Sequence, residues 1–331
     1  MNQYENLWKK EDFKVLIGTQ KEILDAISKH DNIVIFHHIR PDGDCLGSQA
    51  GLYSIIKNNY PSKKVYSVGN NYNSYPFLDW NFNDLNSIDM TNSLAIAVDV
   101  SDLSRIELSD FFDSNKFTSR ARIDHHNVEK NDYFQYSWVD SEAAAAGEMV
   151  AQFAKDNNFK IDNDAAQKLY LSVMTDSGRY MYSGNRVETQ LIGSWLLNYN
   201  FDATNLYNNL YKKSLSSIKF NGYITSNFEI DKNVLYFEVN PENSAKFGLN
   251  TEEATRFINS LANIEDYSIW VFFTKMENGE SRVEVRSNGP SVVEVCKAFG
   301  GGGHPRACGA PISTYYKEKQ EILKSLNNLT K

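Results

Sequence analysis

A short apolar run ends in Ile123–Asp124–His125–His126, which puts three titratable side chains in succession where a strand should stop. Three other segments offer acids and imidazoles in the same way. They are His38–Ile39–Arg40–Pro41–Asp42–Gly43–Asp44, Asp99 after Leu94–Val98, and Asp176 in Thr175–Asp176–Ser177–Gly178. Carboxylates with a few imidazoles suit Mn²⁺ and Mg²⁺ better than zinc. His38, Asp42, Asp44, Asp99, His125 and Asp176 are more ligands than one ion needs. They suit two neighbouring ions bridged by a carboxylate, a centre that activates water and clamps the oxygens of a phosphoryl group in line.

Taken singly, each segment has a plainer reading. A lone Asp at a strand end is usually a helix cap or a turn residue, which would cover Asp99 or Asp176. His37 and His38 could be core histidines at a strand end, and Pro41–Asp42–Gly43 is a good turn signal. The four together, each at a predicted element terminus, point to one site.

The elements that must position them follow from the apolar pattern. Residues 19–29 show helical periodicity, and Asn32–His37 reads as a buried strand because Ile33–Phe36 is continuously apolar. The loop Pro41–Asp44 and a helix over Leu46–Asn58 then open a βαβ unit. Lys64–Val68, Leu94–Val98, Ala121–Asp124 and Ser137–Val139 read as further strands, with helices at 142–157 and 164–174. Strands alternating with helices predict a parallel sheet, whose ligands bind beyond the carboxyl ends of the strands. Residues 188–213 read as linker helices. Beyond them, strands are expected at Tyr223–Ile230, Val234–Val239, Tyr267–Thr274 and Arg282–Arg286. Helices are expected at Thr251–Ala262, Val292–Phe299 and Tyr315–Leu329, with Gly300–Gly303 breaking the chain. The fold class is therefore α/β in two domains, with 1–190 catalytic, 191–219 a helical linker, and 220–331 a smaller α/β domain.

At 331 residues, with 41% hydrophobic and 23% charged, the chain can bury two ordinary cores. A net charge of -8 argues against gripping long duplexes, where affinity comes from neutralising many phosphates. Small anionic substrates remain open, since bound cations supply local positive charge. Cys45, Cys296 and Cys308 are odd in number, with no CxxC spacing, which predicts reduced thiols. The stretch MNQYENLWKKEDFK shows no apolar leader, and no run reaches membrane-spanning length, so a cytoplasmic protein without a membrane partner is expected.

HxxPDxD, the Asp after the next apolar strand, DHH and TDxG resemble, in that order, the four motifs of the DHH phosphoesterases. Gly301–Gly302–Gly303–His304, with Arg286–Ser287 upstream, resembles the signature of the DHHA1 domain that follows in one large subfamily. The resemblance covers roughly residues 20–310 and is closest to the stand-alone nano-RNase/pAp phosphatase group, which also includes soluble phosphodiesterases of pApA and cyclic di-AMP. It implies a Rossmann-like DHH domain and two Mn²⁺ ions, with Mg²⁺ or Co²⁺ as substitutes. His38, Asp42 and Asp99 would hold one ion. Asp44, Asp99, His125 and Asp176 would hold the other, with Asp99 bridging. His126 would sit beside the reacting phosphate and Asp124 would orient the histidines. Arg286, Ser287, Gly301, Gly302, Gly303 and His304 would bind the far end of the substrate, the glycines letting the backbone approach an anion. Arg105 resembles a trailing motif arginine, for which an ion pair is as open as a substrate contact.

Asn127 stands where the family often has Pro, Cys308 where a small Ala is common, and Tyr180 where Phe is frequent; none removes a ligand. The implied activity is hydrolysis of 3′-phosphoadenosine 5′-phosphate (pAp) to AMP, and of pApA and short RNA to mononucleotides, by a two-metal activated water. A dedicated cyclic di-AMP phosphodiesterase and a non-catalytic nucleotide sensor are the alternatives. Homodimerisation is left open.

Overall fold

The structure, a computed structural model, describes residues 14–181 and 186–330, so the N-terminal stretch MNQYENLWKKEDFK lies almost wholly outside the described residues. Two compact units divide the chain, one ending at Tyr211 and the other beginning at Lys212.

In the first unit the buried apolar runs form the sheet. Its strands are β1 (Leu16–Gly18), β2 (Asn32–Phe36), β3 (Lys64–Ser67), β4 (Ser93–Val98), β5 (Ser119–Asp124) and β6 (Tyr136–Asp140), in the order β1-β6-β5-β4-β2-β3. Strands β2 to β6 pair in parallel as expected, whereas β1, which the sequence reading missed, adds an antiparallel edge to β6. Three residues carry too little periodicity to announce a strand. The chain moves outward from β2 to β3, then returns to lay β4 on the other side of β2. The carboxyl ends of β2 and β4 therefore flank a topological switch point, where ligand crevices form in open α/β sheets.

The helices are α1 (Gln20–Lys29), α2 (Gly43–Asn59), α3 (Ser109–Phe112), α4 (Ala146–Asp156), α5 (Asn163–Asp176), α6 (Val187–Leu196) and α7 (Ala203–Leu210). One sheet face buries Ile33, Ile35, Leu94, Ile96 and Ile123 against helices α1, α2, α4 and α5. The other buries Val34, Phe36, Ala95 and Ala97 under Phe112, Phe117 and Phe134. Helices α2 and α5 pack backbone to backbone: a Cβ at Gly47 would lie 2.3 Å from the Lys168 carbonyl oxygen, and one at Gly43 2.5 Å from Thr175 Oγ1. That closeness carries the start of α2 to the end of α5. Ile192, Leu196 and Leu206 place α6 and α7, read as linkers, within this unit's own core.

The second unit opens with α8 (Leu215–Asn227), where a strand from Tyr223 was expected. Phe220 and Ile224, four apart and both fully buried, show that the helical period governs this stretch. Strands β7 (Glu229–Asp231) and β8 (Val234–Val239), short helices α9 (Pro241–Ala245) and α10 (Thr251–Thr255), then β9 (Ile269–Lys275) and β10 (Ser281–Ser287) follow. Helix α11 (Val293–Ala298), strands β11 (Gly302–His304) and β12 (Ala307–Ile312), and helix α12 (Tyr315–Asn328) complete it. The sheet order is β11-β12-β10-β9-β8-β7, with only β8 and β9 parallel among the described strands. The glycine run does more than interrupt the chain, because Gly302–His304 is itself a strand on β12. That hairpin also corrects the reading of the thiols. Cys296 on α11 and Cys308 on β12 meet as a disulfide, Cα atoms 6.2 Å apart, while Cys45 is a free buried thiol. Sequence spacing hid a pair that the fold makes.

Candidate metal centre

The six predicted ligands arrive from five element ends, Asp42 and Asp44 sharing the start of α2. Asp42 caps α2, its Oδ1 accepting from the Asp44 and Cys45 amides at 3.0 and 3.1 Å. His38 follows β2; its Nε2 lies 3.6 Å from Asp42 Oδ1 and 3.4 Å from Asp99 Oδ2. Asp99 follows β4 with φ +56°, a left-handed conformation that Asp tolerates better than most residues and that costs strain. His125 Nε2 lies 3.3 Å from Asp99 Oδ1, 3.3 Å from Asp176 Oδ2 and 3.4 Å from Asp44 Oδ2. All the ligands named from sequence are therefore brought together. Within 4.8 Å of one another stand donor atoms of His38, Asp42, Cys45 and Asp99; of Asp99, His125 and His126; and of Asp44, His125 and Asp176. Cys45 is an addition that sequence reasoning missed.

Asp44 is 1% exposed, and its carboxylate is held at the start of α4 by the Ala146 and Gly147 amides, at 2.7 and 2.9 Å, and by Ser172 Oγ at 2.6 Å. A helix N-terminus favours a negative charge there. Gly147 cannot be larger, since a Cβ would lie 1.9 Å from Ser172 Oγ. Sequence reasoning overlooked Ser172 and Gly147; the only signal was a glycine breaking an alanine run. The imidazoles are turned by their other nitrogen. His38 Nδ1 bonds the Ile39 carbonyl at 2.8 Å, and His125 Nδ1 bonds the Ala143 carbonyl at 3.3 Å. His126 Nδ1 bonds Asp124 Oδ1 at 2.7 Å, and Asp124 is fully buried. His37 is a core histidine, fully buried beneath Gly69.

The electrostatics are those of crowded acids. Burial, reinforced by Asp99 and Asp176, raises the Asp44 pKa well above its ordinary value. Burial also raises Asp176, to about 6, with His125 opposing and Asp99 adding to the shift. Burial would raise Asp99 too, but His125 and His38 outweigh it and hold that carboxyl below its ordinary value. Burial works against charge on His125 and His38, yet the surrounding carboxylates raise both. Divalent cations would take over this balancing role. The donor set fits them, as does Asp99 Oδ1, which is buried and accepts no hydrogen bond.

In the second unit, Arg286 on β10 and His304 on β11 both pair with Ala307 of the intervening β12, which sets them in one row across the sheet. Ser287 is buried and its Oγ accepts from the Gly289 amide at 3.0 Å. Gly303 has φ +133°, and a Cβ at Gly301 would lie 2.0 Å from the Gly309 carbonyl oxygen, so neither position admits a side chain. Arg105 forms no ion pair among the described residues; its carbonyl accepts from the Ile39 amide at 2.7 Å.

A mixed α/β sheet with acids and imidazoles gathered at its switch point defines a class, and comparison with known proteins agrees. Residues 32–174 match the model of the DHH family, N-terminal domain, and residues 231–331 that of the DHHA1 domain. The chain belongs to the DHH family. It is 39% identical over 317 residues to the "Bifunctional oligoribonuclease and PAP phosphatase NrnA" of Mycoplasma pneumoniae, covering 95% of this chain and 96% of that one. To the Bacillus subtilis protein of the same name it is 32% identical, covering 94% and 98%. A crystal structure of an exopolyphosphatase-related protein from Bacteroides fragilis shares the fold, with a TM-score of 0.80, 23% identity, and 95% and 98% coverage. No helix among the described residues is long and apolar enough to cross a membrane.

Proposed function

We propose that this chain is a Mn²⁺-dependent phosphoesterase of short nucleotides, converting pAp to AMP and pApA or short oligoribonucleotides to mononucleotides in the cytoplasm. The observation that carries this reading is the convergence of His38, Asp42, Asp44, Asp99, His125 and Asp176 from five element ends. The names of the high-coverage relatives support the substrate class.

His38, Asp42 and Asp99 would hold one ion and Asp44, Asp99, His125 and Asp176 the other, Asp99 serving both. Such a pair of ions supplies an activated water and charge stabilisation for a phosphoryl group. The protein does the rest. Asp124 fixes the ring of His126 through Nδ1, so that the remaining nitrogen serves the reacting phosphate or its leaving oxygen. The α4 amides and Ser172 aim Asp44, whose ionised form bound cations would favour. Arg286 and His304 would bind the distal phosphate or nucleotide, and the glycines of β11 would let the backbone approach it closely.

The test is a Mn²⁺-supplemented turnover panel across pAp, pApA, longer oligoribonucleotides and cyclic di-AMP. Rates on pAp and pApA should exceed those on long chains and on the ring. Preference for intact cyclic di-AMP would assign a dedicated cyclic-dinucleotide phosphodiesterase instead, and binding without any hydrolysis would assign a sensor.

A further inference from the structure

Strand β5 carries a charged residue where the sheet interior calls for an apolar one. Arg122 pairs with Ala97 of β4 and Ser137 of β6 and is 2% exposed. Its guanidinium stacks over Phe134, 4.8 Å from the ring centroid. Nε has no hydrogen-bond partner, and the guanidinium forms no ion pair with a described residue. Asp124, two residues on, acts on it through the field, its Oδ1 engaged by His126 and its buried Oδ2 without a hydrogen-bond partner. A buried cation without a partner is costly, and stacking on an aromatic ring offsets only part of that cost. Its planar fork of donors is the shape that receives two oxygens of a phosphate.

Arg122 lines a cavity of about 410 Å³ beside the Asp99 loop. Val100 and Phe134, both buried, line its floor with Arg122, while Ser101 and Asn131 stand nearer the surface. Asn131 Oδ1 is occupied by the Tyr133 amide at 3.2 Å, which leaves its NH₂ as a donor. Asp102 also borders the cavity, but its Oδ1 is tied to Ser104 N and Oγ at 2.8 and 2.6 Å. The cavity therefore joins a deep unpaired cation to hydroxyl and amide donors.

We propose that this cavity is a second anion site, distinct from the carboxylate–imidazole cluster, that binds a phosphate group with Arg122 at its base and Ser101 and Asn131 at its mouth. The phosphate is either the non-scissile terminal phosphate of a short nucleotide or free inorganic phosphate. Only the first source rests on the phosphoesterase reading.

The experiment titrates inorganic phosphate into Mn²⁺-supplemented full-length wild type, R122M, R122K and N131W, and then compares KM for a dinucleotide with and without a 5′-phosphate. One phosphate equivalent of the wild type should weaken at least tenfold in R122M and N131W and only a few-fold in R122K. N131W closes the mouth from the surface, so it carries the test where R122M does not fold. A tenfold rise in KM confined to the 5′-phosphorylated dinucleotide, with kcat held, assigns the site to substrate. Unchanged KM values with phosphate binding lost assign it to the free anion. Equal phosphate binding in wild type, R122M and N131W overturns the proposal and leaves Arg122 as a counter-charge for Asp124. Loss of hydrolysis with Arg122-dependent phosphate binding intact would instead sink the phosphoesterase reading and spare the site.

Discussion

His125 Nε2 stands 3.3 Å from Asp99 Oδ1, yet that buried oxygen accepts no hydrogen bond. The two residues follow the ends of adjacent parallel strands, β5 and β4. Asp176 and Asp44 approach the same His125 nitrogen from α5 and α2, at 3.3 and 3.4 Å. Atoms arranged this way are poor partners for one another and good ones for a cation.

Ser172 tests how Asp44 is held. Its hydroxyl gives Asp44 Oδ1 a 2.6 Å hydrogen bond in a site where burial already opposes the carboxylate's charge. Ser172→Ala should weaken Mn²⁺ binding about tenfold, the usual cost of losing a partner behind a ligand. Equilibrium dialysis of Mn²⁺ reads this, and unchanged affinity would mean that the α4 amides suffice.

Asp124 tests the role of His126. The 2.7 Å bond to Nδ1 fixes which ring nitrogen faces outward. Asp124→Asn should lower kcat on pAp by about 10- to 100-fold while leaving KM within a few-fold. A change confined to KM would place His126 in substrate binding alone.

Gly47 tests the close approach that delivers Asp42 and Asp44 to Asp176. Alanine gains about 1 kcal/mol of helix propensity over glycine, but its Cβ would sit 2.3 Å from the Lys168 carbonyl oxygen. Gly47→Ala should therefore cost about 2 kcal/mol net, as overpacking does. Urea unfolding that shows equal or greater stability would mean the helices part freely.

His37 sets a pH dependence. Burial lowers its pKa from 6.5 to about 4, so the unfolded chain takes up the proton first as pH falls. The stability is complete above pH 6.5 and is lost as pH drops through 4, a swing of about 3 kcal/mol at 1.36 kcal/mol per unit. His37→Phe should flatten the urea midpoint across that window, whereas a slope equal to wild type would assign the acid sensitivity to other groups.

The sequence made the strand ends legible because Ile33–Phe36 and Leu94–Val98 are continuous apolar runs that stop at polar residues, and Ala121–Ile123, interrupted only by Arg122, stops at one too. Since the ligands sit at those stops, the site was legible with them. What holds the ligands was not: the amides of Ala146 and Gly147 have no side-chain signature, and Ser172 is one hydroxyl on a helix. Short elements such as β1 and β11 are fixed by their partners, β6 and β12, and not by local pattern. The Cys296–Cys308 pair likewise exists only through the β11–β12 hairpin and the helix before it. Strand and helix compete for Tyr223–Phe228, and the burial of Ile224 with the contact of Tyr223 on Phe237 decides for the helix.

Counting bound Mn²⁺ per chain in wild type and Asp99→Ala, both folded by circular dichroism, tests the shared-ligand centre most directly. Two ions in the wild type and at most one in the variant, with hydrolysis of pAp abolished, is the expected result. Two ions retained after Asp99 is removed, or none bound in the wild type, would contradict it.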